Sequence, residues 1–341
     1  MGFAATRPAL RHARALRALG LAAALACGTL GLGVLGGCAS VLDQGTEQTQ
    51  ALLGAPPSGL PRRLHLAYTP FFPQTELQCG PAVLASLLSA AGRSETPETL
   101  SPELFVPGRG GTLQVELLAA ARRHDAIGTQ LPPSLQAVLT EVAAGHPVGV
   151  MQNLGLSFAP VWHFAVVVGF DLDTQDVILH SGQARDQRMS LQTFERTWAR
   201  SERWAFVVLP PDTLPATATQ AAVREGRLGF ARTAPPARAA TAWRAAAERW
   251  PDDVVLGMGL GNSLMQASQP RAAAEAFARL AEATDHAAAW NNLASVRLQL
   301  GERDAAREAA RRAVLRAAVA EPDLLRTAQD TLAEAHTPPP R

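Results

Sequence analysis

Of the three cysteines in this 341-residue chain, Cys27 and Cys38 fall in or beside an apolar N-terminal segment, and Cys79 stands apart. Cys79 lies in Gln74-Thr75-Glu76-Leu77-Gln78-Cys79-Gly80-Pro81-Ala82, ahead of a helix-forming run through Ala90. The start of a helix has N–H groups without acceptors and the positive end of the peptide dipoles, which favour an anion such as a thiolate. Pro81 suits a first helical turn, and Gly80 permits close backbone approach. A lone cysteine is also a common core residue, so the chemistry needs a base. His163 has the best context of the eight histidines, because it opens the strand-like run Phe164-Ala165-Val166-Val167-Val168-Gly169. The segment Asp171 to Asp176 then reads as a hairpin turn and Val177-Ile178-Leu179 as the returning strand. A thiol at a helix start facing an imidazole on a strand suits nucleophilic catalysis. The imidazole takes the thiol proton and later gives it to a leaving amine. His65, His124, His146, His286 and His336 sit in loops or near helix ends, where structural roles are expected.

These elements recur in order: Gln74…Cys79-Gly80-Pro81-Ala82, Gly111-Thr112 opening a helix, Leu135…Leu139…Gly145-His146-Pro147-Val148-Gly149-Val150, and His163-Phe164-Ala165-Val166-Val167-Val168-Gly169. The set resembles the C39 and C39-like cysteine peptidases over about residues 66–209. The resemblance implies an α+β papain-like peptidase domain and a peptide or protein substrate. It makes Cys79 the nucleophile, His163 the general base, and Gln74 the oxyanion-hole amide beside the Cys79 backbone N–H. Gln78 is a competing donor but adjoins the nucleophile. The family usually carries an Asp-Pro pair after the histidine strand. Here the chain reads Leu179-His180-Ser181-Gly182, so Ser181 or His180 stands where the acid is expected. A serine could accept the His163 Nδ1–H but adds no negative charge to stabilise an imidazolium. Asp171, Asp173 and Asp176 read as turn residues.

Residues 1–37 contain four arginines and no acid, followed by an apolar, glycine-interrupted run ending in Leu35-Gly36-Gly37-Cys38. A basic region before an apolar one is a secretory signal. Its end resembles a bacterial lipobox, which makes Cys38 the lipidated residue and the lipid its membrane anchor. Ala39 after that cysteine implies an outer-membrane lipoprotein facing the periplasm. Without the signal's four arginines, 27 basic residues remain against 30 acidic ones. That balance offers no electrostatic footprint for nucleic acid.

The elements that position these residues divide the rest of the chain. Residues 38–62 read as a polar tether, 63–210 as the peptidase domain, and 211–236 as a linker with a short helix near Gln220–Gly226. Residues 237–341 are almost purely helical and repeat with a period of 33: Leu260 aligns with Leu293, Gly261 with Ala294, Ala273 with Ala306, and Phe277 with Ala310. Trp243, Ala246 and Pro251 fit the end of a preceding half-repeat. The period resembles tetratricopeptide repeats, closed by a cap helix from about Pro322 to Ala335. That implies an all-α docking surface for a substrate or protein partner.

No Cys-x-x-Cys or His-x-x-x-His spacing suggests a metal, and no cofactor motif is present. Gly108-Arg109-Gly110-Gly111 lacks the Lys-Ser/Thr of a phosphate loop and reads as a flexible connection beside the cleft. Trp162 suits either a cleft wall or the core. C39 peptidases that process double-glycine leaders are generally joined to ATP-driven exporters, and no nucleotide-binding loop occurs here. Two further readings stand beside the peptidase. One is an acyltransferase using the same Cys–His pair, and the other a non-catalytic scaffold with a degenerate peptidase fold.

Overall fold

The computed structural model describes residues 46–74, 78–105 and 111–337. The signal, Cys38, and Gly108, Arg109 and Gly110 lie outside the described residues. The strands are β1 (Arg63–His65), β2 (Ile127–Gln130), β3 (Val148–Asn153), β4 (Trp162–Asp171), β5 (Asp176–Ser181), β6 (Ala184–Ser190) and β7 (Ala205–Leu209). They form one antiparallel sheet in the order β2-β7-β3-β4-β5-β6. β1 pairs with the far end of β4, Leu64 opposite Phe170. The helices of this domain are α1 (Glu47–Gly54), α2 (Cys79–Ala90), α3 (Pro97–Leu104), α4 (Gln114–Arg123), α5 (Leu135–Ala143) and α6 (Leu191–Ala199).

β4 is buried from Phe164 to Phe170, which is why it reads as an unbroken apolar run. Side-chain alternation sends Phe164, Val166 and Val168 into the core shared with α2, α3 and α4. Ala165 and Val167 enter the core beneath α5 and α6. α2 is buried at every position from Gly80 to Leu88. A helix with no polar face must lie inside the fold.

The segment expected as a tether contains α1, and α1 is docked. The Gln48 and Thr49 backbone N–H groups donate to the Glu195 carboxylate of α6 at 3.1 and 2.7 Å, and Leu52 joins the α5–α6 core. A carboxylate from a distant helix thus satisfies the positive end of α1. Polar composition did not reveal this, because the cap comes from about 150 residues away.

The helical region comprises α7 (Gln220–Ala231), α8 (Pro236–Arg249), α9 (Val254–Gln266), α10 (Pro270–Thr284), α11 (Ala287–Gln299), α12 (Arg303–Ala320) and α13 (Leu325–His336). From α8 onward each helix packs on the next. Leu260 and Leu293, and Ala273 and Ala306, are buried at their 33-residue spacing. Gly261 lies directly against the Phe277 ring, where a Cβ would collide, so α9 and α10 approach closely.

Residues 211–236 are more than a linker. α7 lies on β2, and Ile127, Phe230 and Ala242 form an apolar cluster joining sheet to repeats. Fully buried Glu141 of α5 accepts from the Thr217 N–H and hydroxyl, both at 2.7 Å. Asp125 receives Arg93 at 2.6 Å and Arg238 of α8 through two bonds of 2.9 and 2.7 Å. These contacts seat the helical region on the sheet domain. Proline and threonine content read as a linker with a short helix, but the anchoring partners lie far away in sequence.

Arg227 of α7 is 1% exposed. Its Nη2 donates to the Thr213 carbonyl at 3.0 Å, while Nε and Nη1 have no partner among the described residues. Desolvation lowers its pKa to about 10, so folding holds a guanidinium where its charge is disfavoured. Arg227→Met keeps the apolar stem and removes that charge. It is expected to stabilise the protein by about 1–2 kcal/mol, raising the thermal midpoint by roughly 2–6 °C. Calorimetry checks this, and a lower midpoint would show that the single bond to Thr213 outweighs the buried charge.

Candidate active site

Cys79 is the first residue of α2 and is not in a disulfide. The first N–H groups of a helix, including that of Cys79, have no intrahelical acceptor. The thiol is half-buried beside the core that holds Phe164 and Met151. Gly80 fixes the approach to this helix end, because a Cβ there would run into the Thr112 side chain. Thr112 follows Gly111, the residue at the near edge of the expected glycine-rich connection.

His163 lies at the start of β4, opposite Gln152 of β3. Its Nε2 is 2.9 Å from Ser181 Oγ at the end of β5. The serine therefore engages Nε2, not the Nδ1 expected from sequence. With Nε2–H donating to Ser181, Nδ1 is the nitrogen left to accept a proton. Among the described residues no carboxylate hydrogen-bonds this ring. Burial lowers the His163 pKa below its ordinary 6.5, since desolvation disfavours the imidazolium.

Alternation places His163 and Ser181 on the sheet face away from α2. Cys79 packs against the opposite-face core that includes Phe164. Among the described residues no hydrogen bond joins the Cys79 thiol to His163. Catalytic hydrogen bonds in empty sites are often long and tighten only when substrate is bound.

Gln74 is buried and tied to the β5–β6 turn. Its backbone N–H donates to the Gly182 carbonyl at 3.0 Å, and its Oε1 accepts from the Gly182 N–H at 3.2 Å. The Gln183 Nε2 donates to the Gln74 carbonyl. Holding Oε1 leaves Nε2 as the donor end of the Gln74 amide. Gln78 is the N-cap residue of α2 but makes no side-chain cap bond.

His180, the other residue near the expected acid position, is engaged elsewhere. It is buried, with Nε2 donating to the Thr69 carbonyl at 3.1 Å and Nδ1 accepting from the Asp186 N–H at 3.3 Å. Phe71 packs edge-on to it at 5.2 Å. Asp171 binds the Asp173 and Thr174 N–H groups of the β4–β5 turn at 3.0 and 3.3 Å. Asp173 pairs with Arg62, and Asp176 with Arg188.

Trp162 is 53% exposed and so is not a core tryptophan. Together with exposed Leu156 and Phe158 it leaves an apolar surface immediately before His163. Gly182 and Gln183 carried no signal as site residues, and Thr112 stood out only as part of the Gly111-Thr112 helix start. A Ser-Gly pair ending a strand announces a turn, but the contact of that turn with Gln74 spans 108 residues.

Residues 67–206 match the model of the Peptidase_C39 like family, which supports a C39-like peptidase domain in that part of the chain. Among solved structures it is similar to a protein described as a C39-like peptidase from Bacillus anthracis. That similarity is 18% identity over 43% of this chain and 97% of the other, with a TM-score of 0.38. It is also similar to the peptidase domain of Streptococcus ComA, a bi-functional ABC transporter of a quorum-sensing pathway. There the identity is 22% over 42% of this chain and 99% of the other, with a TM-score of 0.34. No curated protein matches the chain.

Proposed function

We propose that the protein is a membrane-anchored, periplasm-facing cysteine peptidase. The observation that carries this reading is the His163 imidazole held through Nε2 by Ser181, within a domain whose helix α2 begins at Cys79. Nδ1 of His163 takes the Cys79 proton as Sγ attacks the scissile carbonyl. The Gln74 amide and the Cys79 N–H would stabilise the oxyanion, donors worth about 3–4 kcal/mol where one is lost in comparable sites. Collapse of the tetrahedral adduct breaks the C–N bond, and the imidazolium gives its proton to the leaving amine. Water, deprotonated by the same nitrogen, then cleaves the thioester and restores the thiol. Apolar substrate side chains suit the exposed Leu156, Phe158 and Trp162.

Lipidation of Cys38 would tether the enzyme to the outer membrane. The helices from α8 to α13 are tetratricopeptide-type repeats in this reading, and they recruit substrate or a partner. A groove of about 370 Å³ lined by Arg244, Glu248, Leu260 and Arg279 supports that role, as does one of about 600 Å³ lined by Trp290, Arg312, Leu315 and Val319.

Digestion of denatured casein in ¹⁸O-labelled water with an added primary amine tests the reaction type. New carboxyl termini carrying ¹⁸O mean hydrolysis. Termini joined to the amine mean acyl transfer, and neither product would leave the scaffold reading.

A further inference from the structure

We infer that Gly182 and Gln183 are positioning residues, and that the β5–β6 turn clasps the oxyanion donor to the strand that orients the base. The inference rests on the peptidase reading. Three consecutive residues divide the work. Ser181 holds His163 Nε2 at 2.9 Å. Gly182 brackets Gln74 from both sides, its carbonyl accepting from the Gln74 N–H at 3.0 Å and its N–H donating to Gln74 Oε1 at 3.2 Å. Gln183 donates from Nε2 to the Gln74 carbonyl.

The chemistry explains why each residue type is needed. An amide side chain can rotate to present either its oxygen or its NH2, and only NH2 stabilises an oxyanion. A donor fixed on Oε1 settles which end points onward. Gly182 supplies that donor with φ +58°, a left-handed conformation that glycine adopts without strain. A proline at 182 would have no N–H to give. Gln183 is exposed, so it contributes little to the core, and its bond to Gln74 is the contact that accounts for its orientation. Loss of the Gln183 bond would therefore displace the Gln74 amide, while Ser181 stays held by its pairing with Ala184.

The test is a double-mutant cycle in the full-length chain, with carbobenzoxy-glycine p-nitrophenyl ester as substrate and leupeptin as the aldehyde that forms a tetrahedral adduct. Gln74→Ala is expected to lower kcat by about 100-fold or more. Gln183→Ala and Gln183→Glu, which lack the donor, should lower kcat by roughly tenfold with KM unchanged, and weaken leupeptin by a similar factor. In the Gln74→Ala background, Gln183→Ala should then change kcat by less than about twofold, because it acts through Gln74. Additive losses in the cycle would show an ordinary structural role and overturn the inference. So would wild-type kcat in both Gln183 variants. Either of those results leaves the peptidase reading standing. An unsubstituted protein that neither hydrolyses the ester nor binds leupeptin overturns both.

Discussion

Replacing Cys79 by alanine is expected to abolish turnover, lowering kcat/KM by on the order of 10⁴-fold or more. Removing the nucleophile from a unit that acts together costs nearly all of its chemistry. Labelling of Cys79 by iodoacetamide should vanish in the same variant. Stability should change little, since the thiol is half-buried and α2 is held by the apolar residues from Ala82 to Leu88. Loss of activity with an unchanged thermal midpoint would therefore report chemistry. Cys79→Ala with residual turnover near that of the unsubstituted protein would end the nucleophile assignment and favour the scaffold reading.

The second large effect is expected at His163. His163→Ala should lower kcat/KM by about 10²- to 10⁴-fold, the usual contribution of a positioned base. The pH dependence follows from the environment of the ring. Desolvation lowers its pKa from the ordinary 6.5, so the neutral form, the one proposed to accept the thiol proton, persists below pH 6.5. The acidic limb of kcat/KM is thus expected below that value. Ser181→Asp would set a carboxylate beside Nε2 and move the limb upward, while Ser181→Ala would leave the ring unsupported and slow the reaction. An acidic limb above pH 6.5 in the unsubstituted protein would contradict this account.

The same shift affects stability in a defined direction. The unfolded chain takes up a proton near pH 6.5, while folded His163 remains neutral to lower pH. Its contribution is full above 6.5 and is lost as pH falls from there through the folded value. His180, also lowered chiefly by burial, behaves alike. His124 runs the other way: burial lowers it, but the hydrogen bonds to Glu103 and Glu95 outweigh that and raise it. Its contribution is present below pH 6.5 and lost as pH rises through its raised value.

Local chemistry made much of the domain legible in the sequence. The Gly-Pro start and apolar run of α2, the β-branched run of β4 and the turn around Asp171 each follow from neighbours in the chain. So does the 33-residue recurrence of Leu260 and Leu293, because each helical unit contacts the next. Three features had no local signal. The docked α1 depends on Glu195, the fixed residues 211–236 depend on Glu141 and Asp125, and the Gln74 clasp depends on Gly182 and Gln183.

Sequence by itself determined which groups can do chemistry here: a thiol at a helix start, an imidazole opening a strand, and a serine where a carboxylate was expected. Tertiary structure decided how they face one another. Ser181 at the end of β5 meets Nε2 of His163, and alternation put the imidazole on the sheet face away from α2. The β5–β6 turn chose which end of the Gln74 amide is left to donate. Residue type sets what a group can accept or donate, but direction comes from strand register and from contacts a hundred or more residues apart.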